Sequence, residues 1–275
     1  MKRIRIVGLC IAAMCAVVAF TATSAFAAEE TKQPEFGTCV KKAGGKFKNS
    51  GCSIAAKAAT EEKFEWNKGL AKAVTFTSKI KELTSATLET VGGTKITCKT
   101  EEGSGQINAG TANKVSKVIA LFKECTTSGF PCTSAGKASG EIETFNLTGG
   151  VGIEKVSLEG AAKNKAAEEL HAESGTNLAE FECVGVPVEV RGSVLHNVKV
   201  NAMLSKTTEK FTQSKGKQKP EKYAGGVAKE HILESNNAKG PFEQAGQTIT
   251  ALVTFAEKAE LNTVNGPACS LPCES

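Results

Sequence analysis

The chain has 275 residues, 34 Lys and Arg against 29 acidic residues, 10 cysteines and only 5% aromatic residues. Every acidic residue is Glu, and Arg occurs only at Arg3, Arg5 and Arg191. The lack of Asp excludes a calcium loop of the EF-hand type, an Asp dyad and a Ser-His-Asp triad, and the scarcity of Arg leaves few forks to grip phosphate.

The chain opens Met-Lys-Arg-Ile-Arg and enters an apolar run of 15 residues, Ile6 to Phe20, that ends in small and hydroxylated residues. This is the three-part plan of a secretory signal peptide. A helix that spans a bilayer needs about 20 apolar residues, so the run is short for a permanent anchor. Ala25 and Ala27 stand at the two small-residue positions of a peptidase site, which predicts a signal peptide over 1–27 and cleavage before Ala28. The remainder carries 31 basic against 29 acidic residues. Such a balance does not indicate a nucleic-acid partner, and no later segment is apolar enough for a membrane span.

Residues 28–36 are polar and read as a flexible leader. Residues 37–69 read as a small disulfide-stapled subdomain, with a cysteine loop followed by KFEW and the single Trp, Trp66. From 70 to 264 Val, Ile, Thr and Phe alternate with Gly and Ser clusters, which predicts a mainly β fold, an antiparallel β-sandwich or barrel-like body. Gly92-Gly93 between two alternating runs predicts a tight hairpin. Strands are expected from about Val74 and near 115–124, 140–147, 153–158, 178–184, 186–195, 198–204, 207–214 and 247–261. The exception is AAKNKAAEELHAE, 161–173, whose Ala, Lys and Glu favour a helix or a solvated insertion. Residues 265–275 read as a C-terminal disulfide tail.

Eight cysteines follow the signal: Cys39, Cys52, Cys98, Cys125, Cys132, Cys183, Cys269 and Cys273. An even number behind a secretory signal predicts disulfides, and the closest spacing, C-x3-C at the end of the chain, is not the usual zinc pair. Short loops close most readily, which favours Cys39 with Cys52, Cys125 with Cys132 and Cys269 with Cys273. Cys98 and Cys183 then remain to join two distant strands.

Three passages carry a resemblance: the N-terminal cysteine loop with KFEW, NLAEFECVGVPVEVRGSV and EQAGQTITALVTFAEKAELN. Together they resemble a group of uncharacterised secreted proteins of actinobacteria, over most of the chain after the signal. The resemblance implies secretion, an N-terminal disulfide loop and a β-rich body, and it brings no catalytic residue or ligand. Cys269 and Cys273 lie outside the shared pattern.

His171, His196 and His231 share no short metal-binding spacing and are expected as isolated surface side chains. No nucleophile elbow, phosphate loop or dinucleotide fingerprint occurs, so no cofactor, metal or catalytic residue is indicated. Glu141 with Glu143, and Glu180 with Glu182, share strand faces as a glycosidase pair would, but the same spacing describes a solvated edge. Flat aromatic platforms for sugar are scarce, with one Trp and one Tyr, Tyr223. Lys206, Lys210, Lys215, Lys217, Lys219 and Lys222 form a basic stretch suited to an anionic envelope polymer, although Lys also blunts a hairpin tip.

The expected function is therefore a secreted, disulfide-stabilised, non-catalytic protein of the cell envelope or extracellular space, structural or adhesive. Two alternatives have distinct marks. A β-barrel carrier of a small apolar ligand has a cavity lined by Phe, Val and Ile, and a Glu-dependent hydrolase has two carboxyl groups converging in a cleft.

Overall fold

Between Glu35 and Asn262 the described residues form strands almost exclusively, many of them alternating inward and outward side chains. The structure, a computed structural model, describes residues 34–110, 113–155, 157, 159, 163–221, 232–238 and 240–262. The predicted signal peptide, Lys222, Tyr223, His231, Cys269 and Cys273 lie outside the described residues.

Among the described residues the strands are β1 (Glu35–Lys41), β2 (Phe64–Lys68), β3 (Val74–Ile80), β4 (Ala86–Thr90), β5 (Lys95–Cys98), β6 (Thr100–Ile107), β7 (Lys114–Lys123), β8 (Thr126–Thr127) and β9 (Phe130–Thr133). They continue as β10 (Ile142–Glu143), β11 (Leu147–Lys155), β12 (Lys165–Ala172), β13 (Asn177–Cys183), β14 (Val186–Val198), β15 (Leu204–Ser214), β16 (Lys217–Lys219), β17 (Leu233–Ser235) and β18 (Glu243–Asn262). One 3₁₀ turn, Ala59–Glu61, interrupts them.

The pairings are antiparallel and close on themselves twice. In one ring β3 pairs with β6, β6 with β7, β7 with β11, β11 with β12, β12 with β14, β14 with β15, β15 with β18 and β18 with β3. In the other, β4 pairs with β5, β5 with β8, β8 with β9, β9 with β13, β13 with β14, β14 with β17, β17 with β18 and β18 with β4. The expected mainly β fold is therefore present as barrel-like closure, which removes the unpaired edges an open sheet would expose.

The two rings share the longest strands. Residues Val186–Arg191 of β14 face β13, whereas Ser193–Val198 face β12. Gly192 sits at the crossover with φ +97°, and a Cβ there would overlap the Ile232 carbonyl oxygen. A single register pair, Asn197 opposite Lys210, joins β14 to β15. Gln218 of β16, itself buried, completes that seam: its Oε1 accepts from the Leu195 amide at 3.1 Å and its Nε2 donates to the Ser193 carbonyl at 3.1 Å.

The Gly92-Gly93 hairpin forms between β4 and β5, with Gly93 at φ +88°. The expected helix at 161–173 does not. Residues Lys165–Ala172 are β12, hydrogen-bonded to β11 on one side and β14 on the other. Helix propensity is a weak prior, and two flanking ladders with Ala166 and Leu170 buried outweigh it. The strand expected at 198–204 is absent: β14 stops at Val198 and β15 starts at Leu204.

The disulfides are Cys39–Cys52, as expected, and Cys98–Cys125 and Cys132–Cys183, which correct the expected Cys125–Cys132 and Cys98–Cys183. Loop length favours joining Cys125 to Cys132, but the ladders decide which Cβ atoms meet. Cys125 and Cys132 are linked through the backbone, the Cys132 amide donating to the Cys125 carbonyl at 2.9 Å. Cys183 stands directly opposite Cys132 in the register of β13 and β9. Cys98 ends β5, whose neighbour β8 begins next to Cys125.

At the N-terminal end β1 pairs with β2 and with the last residues of β18. Glu35 and Phe36, at the end of the predicted leader, are buried in β1. Trp66 Nε1 donates to Glu35 Oε1 at 2.7 Å and Lys68 Nζ meets Glu35 Oε2 at 2.9 Å, so both oxygens of this buried carboxylate are satisfied.

Candidate functional site

Inward positions of the barrel strands do not fill the interior completely. A cavity of about 210 Å³ remains, lined mainly by apolar side chains that include Phe76, Phe122, Phe211, Phe255, Val118 and Ile249. Both rings contribute to its wall, since Phe181, Val190 and Leu233 line it as well. Phe76 and Phe255 meet edge to face with ring centroids 6.1 Å apart.

Several titratable side chains interrupt this apolar lining, and four of them are set by strand phase. Glu101 comes from β6, Glu168 from β12, His196 from β14 and Glu209 from β15, and all four line the cavity. Strand phase puts them there. Glu209 alternates with Thr207 and Phe211, Glu168 with Ala166 and Leu170, and His196 with Val194 and Val198. Glu168 and His196 are direct partners in the β12–β14 register, with His196 Nε2 3.8 Å from Glu168 Oε2 and 3.9 Å from Glu209 Oε2. The imidazole lies against Phe211 with ring centroids 4.3 Å apart. In the same lining, Ser78 Oγ of β3 donates to Glu101 Oε1 at 2.6 Å, while Glu101 Oε2 has no partner.

The environment favours the neutral form of each group. Burial lowers His196 to about 4 and raises Glu209 to about 7, the latter helped by the nearby Glu101. Burial also pushes Glu168 well above the ordinary carboxylate range, with Glu209 adding to it. Glu101 is raised by burial against the opposing hydrogen bond from Ser78. A further carboxyl, Glu260 of β18, lines the same cavity at 1% exposure with both oxygens unpartnered, and burial lifts it to about 8. Among the described residues no three His, Cys or carboxylate groups are placed to hold a metal ion.

The carboxylate pairs singled out from sequence lie elsewhere. Glu143 is tied to Lys137 at 2.6 Å, Glu141 caps the Ala138 amide, Glu180 accepts from Asn177, and Glu182 is exposed. None lines the cavity. His171 does lie on the outside, beside Glu169, but His196 is 1% exposed, which corrects its expected surface position. The convergent groups come from strands far apart in sequence, so spacing could not collect them. The signal that was legible is phase: a charged or polar side chain in step with Phe, Leu or Val of its own strand.

The basic stretch folds as the outer face of β15 and β16. Lys206, Lys210, Lys215, Lys217 and Lys219 are exposed, and Lys219 pairs with Glu221 at 2.7 Å. No helix among the described residues is long and apolar enough to cross a membrane. Comparison with family models, curated proteins and solved structures returned no match.

Proposed function

We propose that this chain is a secreted, disulfide-stapled β-barrel that binds and carries a small, mainly apolar ligand in its interior. The observation that carries this reading is the apolar cavity, whose volume of about 210 Å³ remains after closure of the strands. A dry apolar cavity of roughly 150 Å³ is enough to hold benzene, so the expected ligand is an aromatic or branched aliphatic body with a short arm. Secretion rests on the signal-like N-terminus together with three disulfides, which persist in oxidising compartments.

Titration calorimetry of the oxidised protein with toluene tests the reading. Saturable binding at one site is expected. Ala251→Leu adds bulk to the wall, and overpacking of about 1–3 kcal/mol predicts binding weakened about tenfold. Absence of saturable binding by toluene and by a branched alkane of similar size would remove the reading.

The exposed lysines of β15 and β16 favour a second role on the outside of the barrel, adhesion to an anionic envelope polymer. Retention on a polyphosphate-bearing matrix should fall as salt rises and should be lost when Lys206, Lys210 and Lys217 are changed to Glu. Retention unaffected by those changes rejects this role.

A further inference from the structure

We propose that the ligand of the barrel is a small apolar amine, whose ammonium group is received by Glu101, Glu168 and Glu209. This rests on the carrier reading and specifies the chemistry of its ligand. Carboxyl groups facing an apolar cavity are costly, and folds tolerate them where something pairs with them. Here Glu101, Glu168 and Glu209 come from separate strands to a lining that also holds Glu260, and among the described residues no Lys or Arg lies within ion-pair distance of these three, whose one basic neighbour is His196, 3.8 Å from Glu168 and 3.9 Å from Glu209 and kept neutral by burial. Lys199, the only Lys or Arg among the described residues of the cavity wall, is exposed and unpaired with them.

The unpartnered atoms point the same way. Glu101, 5% exposed, has one oxygen bonded to Ser78 and the other bonded to nothing, and His196, 1% exposed, has an unpartnered Nδ1. An alkylammonium carries three N–H donors, and the carboxyl acceptors Glu101, Glu168 and Glu209 come to this lining from three different strands. An anionic ligand would be repelled by each carboxyl that ionises, and a neutral hydrocarbon would leave Glu101 Oε2 bare. The apolar remainder of the cavity, with Phe76, Phe211 and Phe255, accommodates the hydrocarbon part.

Binding then exchanges a proton for a cation. The carboxyl that receives the ammonium gives its proton to solvent, so the site passes from a neutral acid to a carboxylate paired with R-NH3+, and no other bond changes. The other titratable groups of the lining are His196, which stays neutral, Glu260 and the exposed Lys199.

The test compares benzylamine with toluene on the oxidised protein by calorimetry, near neutral pH in buffers of different ionisation enthalpy. A charge-assisted contact predicts benzylamine binding about tenfold or more tightly than toluene, with net proton release that toluene lacks. In Glu168→Gln and in Glu209→Gln the preference should shrink while toluene binding persists, which also reports that each variant is folded. If toluene binds and benzylamine binds no better, or binds without proton release, the amine proposal is overturned and the carrier reading stands. If neither binds, the carrier reading fails and takes this proposal with it.

Discussion

Replacing Cys132 and Cys183 together by alanine is expected to lower the unfolding free energy by about 4 kcal/mol, against about 3 kcal/mol for Cys39 and Cys52, on the chain-entropy view of cross-links. The difference follows from loop length, with sequence separations of 51 and 13. The bridge between β9 and β13 also joins two segments of one ring whose direct pairing is brief, since only Glu182 and Cys183 of β13 meet Thr133 and Cys132. Losing it leaves that seam with little but short ladders. Urea unfolding of the oxidised variants reads the effect as a lower midpoint. Peptide mapping of the intact protein without reduction should recover Cys98 linked to Cys125 and Cys132 linked to Cys183. A peptide joining Cys98 to Cys183 would contradict the strand register described above.

Stability should fall as pH rises from mildly acidic to mildly alkaline, with Glu260 the largest contributor of known size. In the unfolded chain this carboxyl titrates near 4.5, whereas burial holds it at about 8 in the folded chain. Between those values the folded protein keeps a proton that the unfolded chain has released, so each step up in pH favours unfolding. The stabilisation is complete below 4.5 and is lost by the time pH passes 8, a swing of about 5 kcal/mol. Glu209 contributes with the same sign between 4.5 and about 7. His196 acts in the opposite sense, because its folded value of about 4 lies below the ordinary 6.5, and its term grows with pH only within that interval. Above 6.5 the carboxyl terms are therefore unopposed, and about 2 kcal/mol should disappear between pH 6.5 and 8. Urea midpoints across this range measure it. Glu260→Gln, which cannot ionise, should flatten the slope by about one proton, and a parent protein that gains stability over the interval would contradict the assignment of Glu260 to a dry site.

The carrier reading and the amine proposal depend on the same feature as this pH dependence, namely carboxyl groups left without basic partners inside an apolar barrel. Ligand entry and alkaline titration should therefore be linked. An ammonium in the cavity stabilises the ionised carboxyls nearest it, and the loss of stability attributable to Glu209 should diminish when the site is filled.

Local chemistry made a large part of this protein legible. Gly93 takes a positive φ that Gly adopts freely, and the hairpin is found where the Gly92-Gly93 pair stands. The alternation in 207–214 and 247–261 placed β15 and β18 within a few residues of their true ends, because half-buried strands require that period. The Cys39–Cys52 loop followed from proximity alone. In 161–173 the same kind of reasoning failed, because Ala, Lys and Glu are good helix formers only when no ladder on either side competes for the backbone, and β11 and β14 supply two.

By itself, then, the sequence determined the class of the body, the position of the Gly92-Gly93 turn and the absence of Asp-based chemistry, since these depend on residue type and near-neighbour period. Closure into two rings, the exchange of partners between Cys98, Cys125, Cys132 and Cys183, and the meeting of Glu101, Glu168, His196 and Glu209 were decided only by tertiary structure. The reason is that register is a relation between strands: a one-residue slip would turn every inward side chain outward, and nothing within a single strand says which neighbour it will face.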